Sequence, residues 1–365
     1  MNLFFLTLRQ IFLTSIGLIV LPSSYLCHAQ KAKAYPKNII FLIGDGMGLS
    51  QISAGMVYQG GDLQLARFKS IGFIKTQSSD NFITDSGAGA TAFSIGVKTY
   101  NGAIGVDSLK NSKPTVLEMA EEQGLSTGLV ATCAMTHATP ASFIAHQPKR
   151  SLEEAIAYDY TKTDVDVVIG GGMHYFNSRT DGKNLIDTLK QKGYEVVDST
   201  VDFSLLNSSK FYAFTNSYHL PTMKEGRGGF SEKASLKAID VLSKNKKGFF
   251  LMIEGSQIDW GGHSNDADYI AREMVDFDKT IGAVLDWAMR DKNTLVLVTA
   301  DHETGGLALN SGSIKNKTFT GAFTSKEHTG VMVPVFAYGP GADSFTGIYE
   351  NTEIFTKLTE LMFVK

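Results

Sequence analysis

Hydrophobic and polar positions along the chain alternate in blocks rather than residue by residue. Largely apolar, strand-like runs occupy residues 38–43 (NIIFLI), 127–132, 166–169, 248–253 (GFFLMI) and 294–300 (TLVLVTA). A strand covered on both faces needs apolar side chains at consecutive positions, whereas a half-exposed strand alternates. Between these runs lie helical stretches: residues 114–122, stopped by Gly124; residues 231–242; and a long amphipathic segment over about 267–290. Their proline start and glycine stop are the usual helix punctuation. Strand and helix taken in turn predict an α/β fold, a three-layer sandwich with a mostly parallel central sheet and helices on both faces. Residues 176–229 are less regular, with 194–197 as a strand candidate. Residues 305–323 are polar and read as an irregular surface excursion, which returns at Glu327-His328 before another apolar run, 331–337.

With 365 residues, 43% of them hydrophobic, the chain can bury one large core, and no repeat, low-complexity tract or linker divides residues 30–365. The first 29 residues read as a signal peptide. Arg9 supplies a positive start, residues 11–21 are apolar but short for a bilayer, and Cys27-His28-Ala29 offers a small-x-small cleavage site. Lipid modification of Cys27 is disfavoured by Tyr25-Leu26 before it. The expected location is the periplasm or the medium, with no stable membrane anchor. A net charge of −3 excludes a global basic field for nucleic acid, so any anion must be held locally. The only cysteines are Cys27 and Cys133, so no disulfide framework and no cysteine-based metal site is expected, and Cys133 reads as an inert buried thiol.

The chemistry concentrates in a few places. Residues 84–107 (TDSGAGATAFSIGVKTYNGAIGVD) start with a polar trio that can cap a helix and continue through small residues, which implies that something packs very close. Ser86 would sit in the first turn, where free N–H groups and the helix dipole favour negative charge. Acidic residues stand at three strand ends: Asp45, Glu254 and Asp301, the last followed by His302. Asp259 and His263 are four residues apart, adjacent on one face of a helix, and His328 follows the polar excursion. Any one of these histidines alone would be read as structural; together, beside acids at strand ends, they point to metal. Imidazole with carboxylate and no thiolate suits zinc, and an oxygen-rich position suits magnesium. Two close metals and a serine at a helix N-terminus suit phosphoryl transfer.

Six segments in order, 38–48 (NIIFLIGDGMG), 84–107, 137–140 (HATP) with Arg150 downstream, 254–263, 299–302 and 327–330, resemble the successive motifs of alkaline phosphatases. The resemblance spans residues 38–340. It implies hydrolysis of small phosphate monoesters through a phosphoserine on Ser86, with one zinc held by Asp259, His263 and His328, and a second by Asp45, Asp301 and His302, which also binds the Ser86 oxygen. A magnesium site would use Asp45, Thr139 and Glu254, and Arg150 would grip phosphate. His137 stands where one bacterial form has Asp, and Trp260 where it has Lys in the phosphate pocket. The third ion is therefore expected to be magnesium or, given His137, zinc, and Trp260 is expected to line the substrate pocket without offering a cation. The excursion near 305–325 leaves room for only a short crown insertion or none, and a homodimer is compatible with the resemblance. Rival expectations are a phosphodiesterase or sulfatase of the same superfamily and a non-catalytic metal- or phosphate-binding protein.

Overall fold

The computed structural model describes residues 35–363. The segment read as a signal peptide lies outside the described residues. The first eight strands are Asn38–Gly44 (β1), Ser70–Lys75 (β2), Ser126–Ala134 (β3), Val167–Gly171 (β4), Glu195–Val197 (β5), Phe211–Phe214 (β6), Phe249–Gly255 (β7) and Thr294–Thr299 (β8). Four short strands follow, Glu303–Thr304 (β9), Ala308–Ser313 (β10), Thr318–Ala322 (β11) and His328–Thr329 (β12), and then Val333–Tyr338 (β13) and Gly347–Glu350 (β14). Ten of these form one sheet in the order β14-β2-β13-β8-β1-β7-β3-β4-β6-β5. Only β13 runs against its neighbours, β2 and β8. All seven residues of β1 and all seven of β7 are buried, which is why their sequences are apolar apart from Asn38 and Glu254.

Helices cover both faces. Phe249 and Phe250 are consecutive on β7 and so point in opposite directions. Phe250 stacks on Phe143, 6.2 Å between ring centroids, and Phe41 of β1 meets Phe143 and Phe93 of the helix Ser86–Ile95 on the same side. Phe249 instead meets Trp287 of the helix Ala267–Asp291, 5.8 Å away. Each fully buried phenylalanine contributes roughly 1.5–3 kcal/mol by leaving water. The long helix carries the helices Leu49–Gln59 and Phe230–Leu242 against it on its face of the sheet.

Two expectations need correction. The excursion after Gly305 is not irregular: β10 and β11 form an antiparallel hairpin whose register slips between Leu309 and Ser311. Most of its residues keep some exposure, so no buried apolar face marks it in the sequence. The middle of the chain also holds more structure than its pattern suggests, with a helix at Leu185–Gln191 and the strand β6.

Candidate active site

The adjacent strands β8, β1 and β7 end together, with Ile43 paired to Thr299 on one side and to Glu254 on the other. The carboxylates of Asp45, Glu254 and Asp301 are thereby delivered to one edge of the sheet, all fully buried. Leaving β1, the chain turns at Gly46, φ +71°, where a Cβ would stand 2.7 Å from the Cα of Asp259. Only glycine meets both demands. Its N–H donates to Asp301 Oδ1 at 3.2 Å.

Asp85 caps the helix Ser86–Ile95, with Oδ1 accepting from the N–H groups of Ala88 and Gly102, each at 2.9 Å. All ten residues of this helix are buried. A Cβ on Gly89 would come 3.1 Å from the Cβ of Asp301, and one on Gly87 would come 2.9 Å from the Ala103 carbonyl oxygen. The small residues thus let the first turn lie against Asp301. Ser86 Oγ ends 3.2 Å from His302 Nε2.

Backbone and hydroxyl groups fix the proton on each of three histidines. His263 Nδ1 lies 2.5 Å from the Lys326 carbonyl and His328 Nδ1 lies 2.9 Å from that of Thr84, so both donate from Nδ1. Thr304 Oγ1 donates to Asp259 Oδ1 and so accepts from His302 Nδ1, 3.2 Å away. Each Nε2 then presents a lone pair inward, the usual orientation of a metal-binding imidazole. Those of His263 and His328 stand 3.2 Å apart and 3.4–3.5 Å from the two oxygens of Asp259. Lone pairs held so close repel unless a cation or proton lies between them. His302 Nε2 is 3.4 Å from oxygens of both Asp45 and Asp301.

Among the described residues, ligand atoms converge within 4.8 Å of one another in three groups: Asp259 with His302 and His328; Asp45 with Asp301 and His302; and Glu254 with His137 and Cys133. Several buried atoms here have no hydrogen-bond partner, namely both oxygens of Asp45, Asp301 Oδ2, Glu254 Oε1, Thr139 Oγ1 and His137 Nδ1. Such groups are costly without a cation. Burial, with Asp301 next to it, holds the Asp45 carboxyl well above the usual range. Burial and then Asp259 raise Asp301 to about 8, and burial raises Glu254 to about 7. Crowded carboxylates and inward imidazole lone pairs are the donor set that divalent ions fit.

A family model described as alkaline phosphatase matches residues 36–322 and 310–363. The chain belongs to the alkaline phosphatase family. It is a phosphomonoester hydrolase that acts on small phosphate monoesters. It is 35% identical to alkaline phosphatase 4 of Bacillus subtilis over 88% of this chain and 87% of that one. The solved alkaline phosphatase of the Antarctic bacterium TAB5 superposes with a TM-score of 0.86 at 46% identity, covering 90% of this chain and 98% of that one. A variant of the same enzyme, with a histidine changed to aspartate and magnesium in its M3 site, gives 0.86 at 45% identity over the same shares.

In this alkaline phosphatase Arg150 bridges the serine helix and the third group of ligands. Its Nη1 donates to Asp85 Oδ2 at 3.0 Å and its Nη2 lies 3.3 Å from His137 Nε2. Burial, then the Arg150 charge, push the His137 imidazolium down to about 3, so the ring is neutral. Trp260, on the helix Ile258–His263, stands edge-on to His137 at 6.1 Å and to His219 at 4.8 Å. It therefore forms a wall of the third group. Thr304 and His219 went unnoticed in the sequence. Thr304 lies in the polar tail after His302, and His219, whose Nδ1 accepts from the Ala134 N–H at 3.1 Å, lies in the irregular middle.

Proposed function

We propose that this phosphatase is exported and hydrolyses its monoesters through a phosphoserine on Ser86, at a centre of two zinc ions and a third ion. The observation that carries the reading is the placing of Ser86 Oγ at a helix N-terminus, beside His302 and the unpartnered oxygens of Asp45 and Asp301. Asp259, His263 and His328 would hold one zinc, and Asp45, Asp301 and His302 the other. Glu254, Thr139, His137 and Asp45 would hold the third ion. Bound ions supply Lewis acidity for the entering and departing oxygens of an in-line displacement.

The chain's own groups do the rest. Arg150 offers two parallel N–H donors to non-bridging phosphate oxygens and is kept aimed by Asp85. Ser86 Oγ, having released its proton to solvent, forms a bond to phosphorus as the ester P–O bond breaks, and the departing alkoxide takes up a proton from water. Water then adds to phosphorus, the Ser86 O–P bond breaks, and phosphate leaves. Free N–H groups in the first turn of the serine helix favour the negative charge at both stages.

The test is Ser86→Ala in metal-loaded enzyme. The expected result is near-complete loss of nitrophenyl phosphate turnover with metal content unchanged, and loss of the acid-stable phosphoprotein trapped from the wild type. Near-normal turnover would refute the mechanism. Parallel assays with bis-nitrophenyl phosphate and nitrophenyl sulfate weigh the diesterase and sulfatase readings. The third ion is read as magnesium or zinc: in the TAB5 enzyme a histidine-to-aspartate change goes with magnesium in the M3 site, and this chain keeps His137. Export rests on residues 1–29. It is tested by the N-terminus of the mature protein, expected at Gln30; among the described residues no helix is long and apolar enough to cross a membrane.

A further inference from the structure

Cys133 is the penultimate residue of β3, which lies next to β7 in a ladder that pairs Ala131 with Glu254. Its side chain does not face the apolar core alone. The thiol lies 3.2 Å from Glu254 Oε2 and 3.2 Å from the Ala134 carbonyl, and it is fully buried. Glu254 Oε2 is also held by Ser256 Oγ at 2.7 Å, whereas its Oε1 has no partner. His137 Nδ1 and Thr139 Oγ1 are likewise buried without partners in the same place. Sulfur, carboxylate and imidazole atoms of Cys133, Glu254 and His137 lie within 4.8 Å of one another, close enough to share one ion. The expectation that no cysteine could serve a metal site came from counting cysteines, which excludes sites made of several thiolates but not a mixed one.

We propose that Cys133 is a ligand of the third ion and makes that position selective for a thiophilic divalent cation, such as zinc or cobalt, over magnesium. The inference rests on the three-ion reading given above. On binding, the Cys133 S–H bond breaks, a sulfur–metal bond forms and the proton goes to solvent; no oxidant or reductant is needed. A soft sulfur and the nitrogen of His137 replace oxygens that would suit magnesium, and magnesium binds thiolate poorly. The thiol–carboxylate contact gives Glu254 Oε2 a donor until the ion replaces that proton.

The test is optical and does not depend on activity. The full-length enzyme, stripped of metal and reloaded with cobalt, is expected to bind three ions and to show a near-ultraviolet sulfur-to-cobalt charge-transfer band. The band should vanish in Cys133→Ser and Cys133→Ala and persist in Cys27→Ala. In competition, Cys133→Ser should lose zinc at the third position to magnesium with a preference lowered about tenfold or more. Three cobalt ions without the band, or a band that survives both Cys133 substitutions, would overturn the proposal and leave the three-ion reading standing. Binding of only two ions would overturn both. Should the Cys133 variants fail to fold, the spectrum of Cys27→Ala, in which Cys133 is the remaining cysteine, decides.

Discussion

Replacing Asp85 by asparagine separates two tasks that one carboxylate performs. Oδ1 accepts from Ala88 and Gly102 and caps the serine helix, while Oδ2 accepts from Arg150 at 3.0 Å. Asparagine keeps an oxygen for the first task and caps about as well as aspartate, so thermal stability should barely move. For the second it offers an NH₂ group to a guanidinium, donor against donor, and the Arg150 side chain comes loose. A freed arginine recovers up to about 2 kcal/mol of rotamer freedom, which is given up again when phosphate binds. At about 1.4 kcal/mol per tenfold, the ceiling is roughly thirtyfold weaker phosphate binding. Removal of the competing acid returns part of it, and a net effect of about tenfold follows. Substrate and product use the same grip, so KM and the phosphate inhibition constant should rise together, with kcat unchanged or higher because phosphate leaves sooner. Steady-state nitrophenyl phosphate hydrolysis with phosphate as inhibitor, beside a melting curve, measures all of this. Inhibition by phosphate within twofold of the wild type, with an unchanged melting temperature, would refute the role given to Asp85.

Further outcomes follow from the same geometry. Thr304→Val removes the hydroxyl between His302 and Asp259 and should weaken zinc binding about 10–100-fold in competition with a chelator; unchanged affinity would show that the hydroxyl orients nothing. Burial raises Glu121 to about 8, so between about pH 4.5 and 8 the folded chain holds a proton that the unfolded chain has released, and stability falls as pH rises through that window. Glu121→Gln, which still accepts from Thr127, should match the wild type near pH 5. Near pH 9 it should be more stable by about 2 kcal/mol, less than half the full value because the group is partly open to water. Equal melting curves at both pH values would contradict this. Gly46→Ala combines a left-handed φ with a 2.7 Å approach to Asp259 and should cost several kcal/mol at least, read as loss of soluble, metal-loaded protein. Removing metal with a strong chelator should abolish turnover and lower the melting temperature, and both should return with zinc plus magnesium; activity that resists chelation would contradict a metal centre.

The central strands were legible because both their faces are covered, which leaves a continuous apolar signature at β1, β7 and β8. Their acidic ends were legible for the same reason, since an aspartate closing such a run has no structural excuse. The edge of the sheet was harder. Strand β5 was marked by its short apolar run, but β6 is only four residues long within the irregular middle, and β2 mixes buried with exposed positions, so neither of these two stands out. The helix Leu49–Gln59 is interrupted by Gly55, whose missing side chain makes room for Met274 of the long helix, a tertiary demand that looks locally like a helix breaker. At the site, residues that repeat a recognisable chemistry were visible, whereas those that orient them were not. Thr304 and His219 act through hydrogen bonds to partners distant in sequence, and the Cys133 thiol acquires its neighbours only when β3 and β7 pair.

The two-residue ladder between β9 and β12 has a consequence for how this family can diversify. Thr304 faces His328 and Glu303 faces Thr329, so the chain leaves and re-enters the pocket through a clasp that is complete before the hairpin begins. The Glu303 carboxylate also accepts from Gln51 and Thr329, which fastens the clasp to the helix Leu49–Gln59. What hangs beyond it, from Gly305 to Glu327, needs only to start and finish at neighbouring points. That makes the hairpin a socket: its contents can be shortened, lengthened or exchanged for a whole module at little entropic cost while His328 keeps its place.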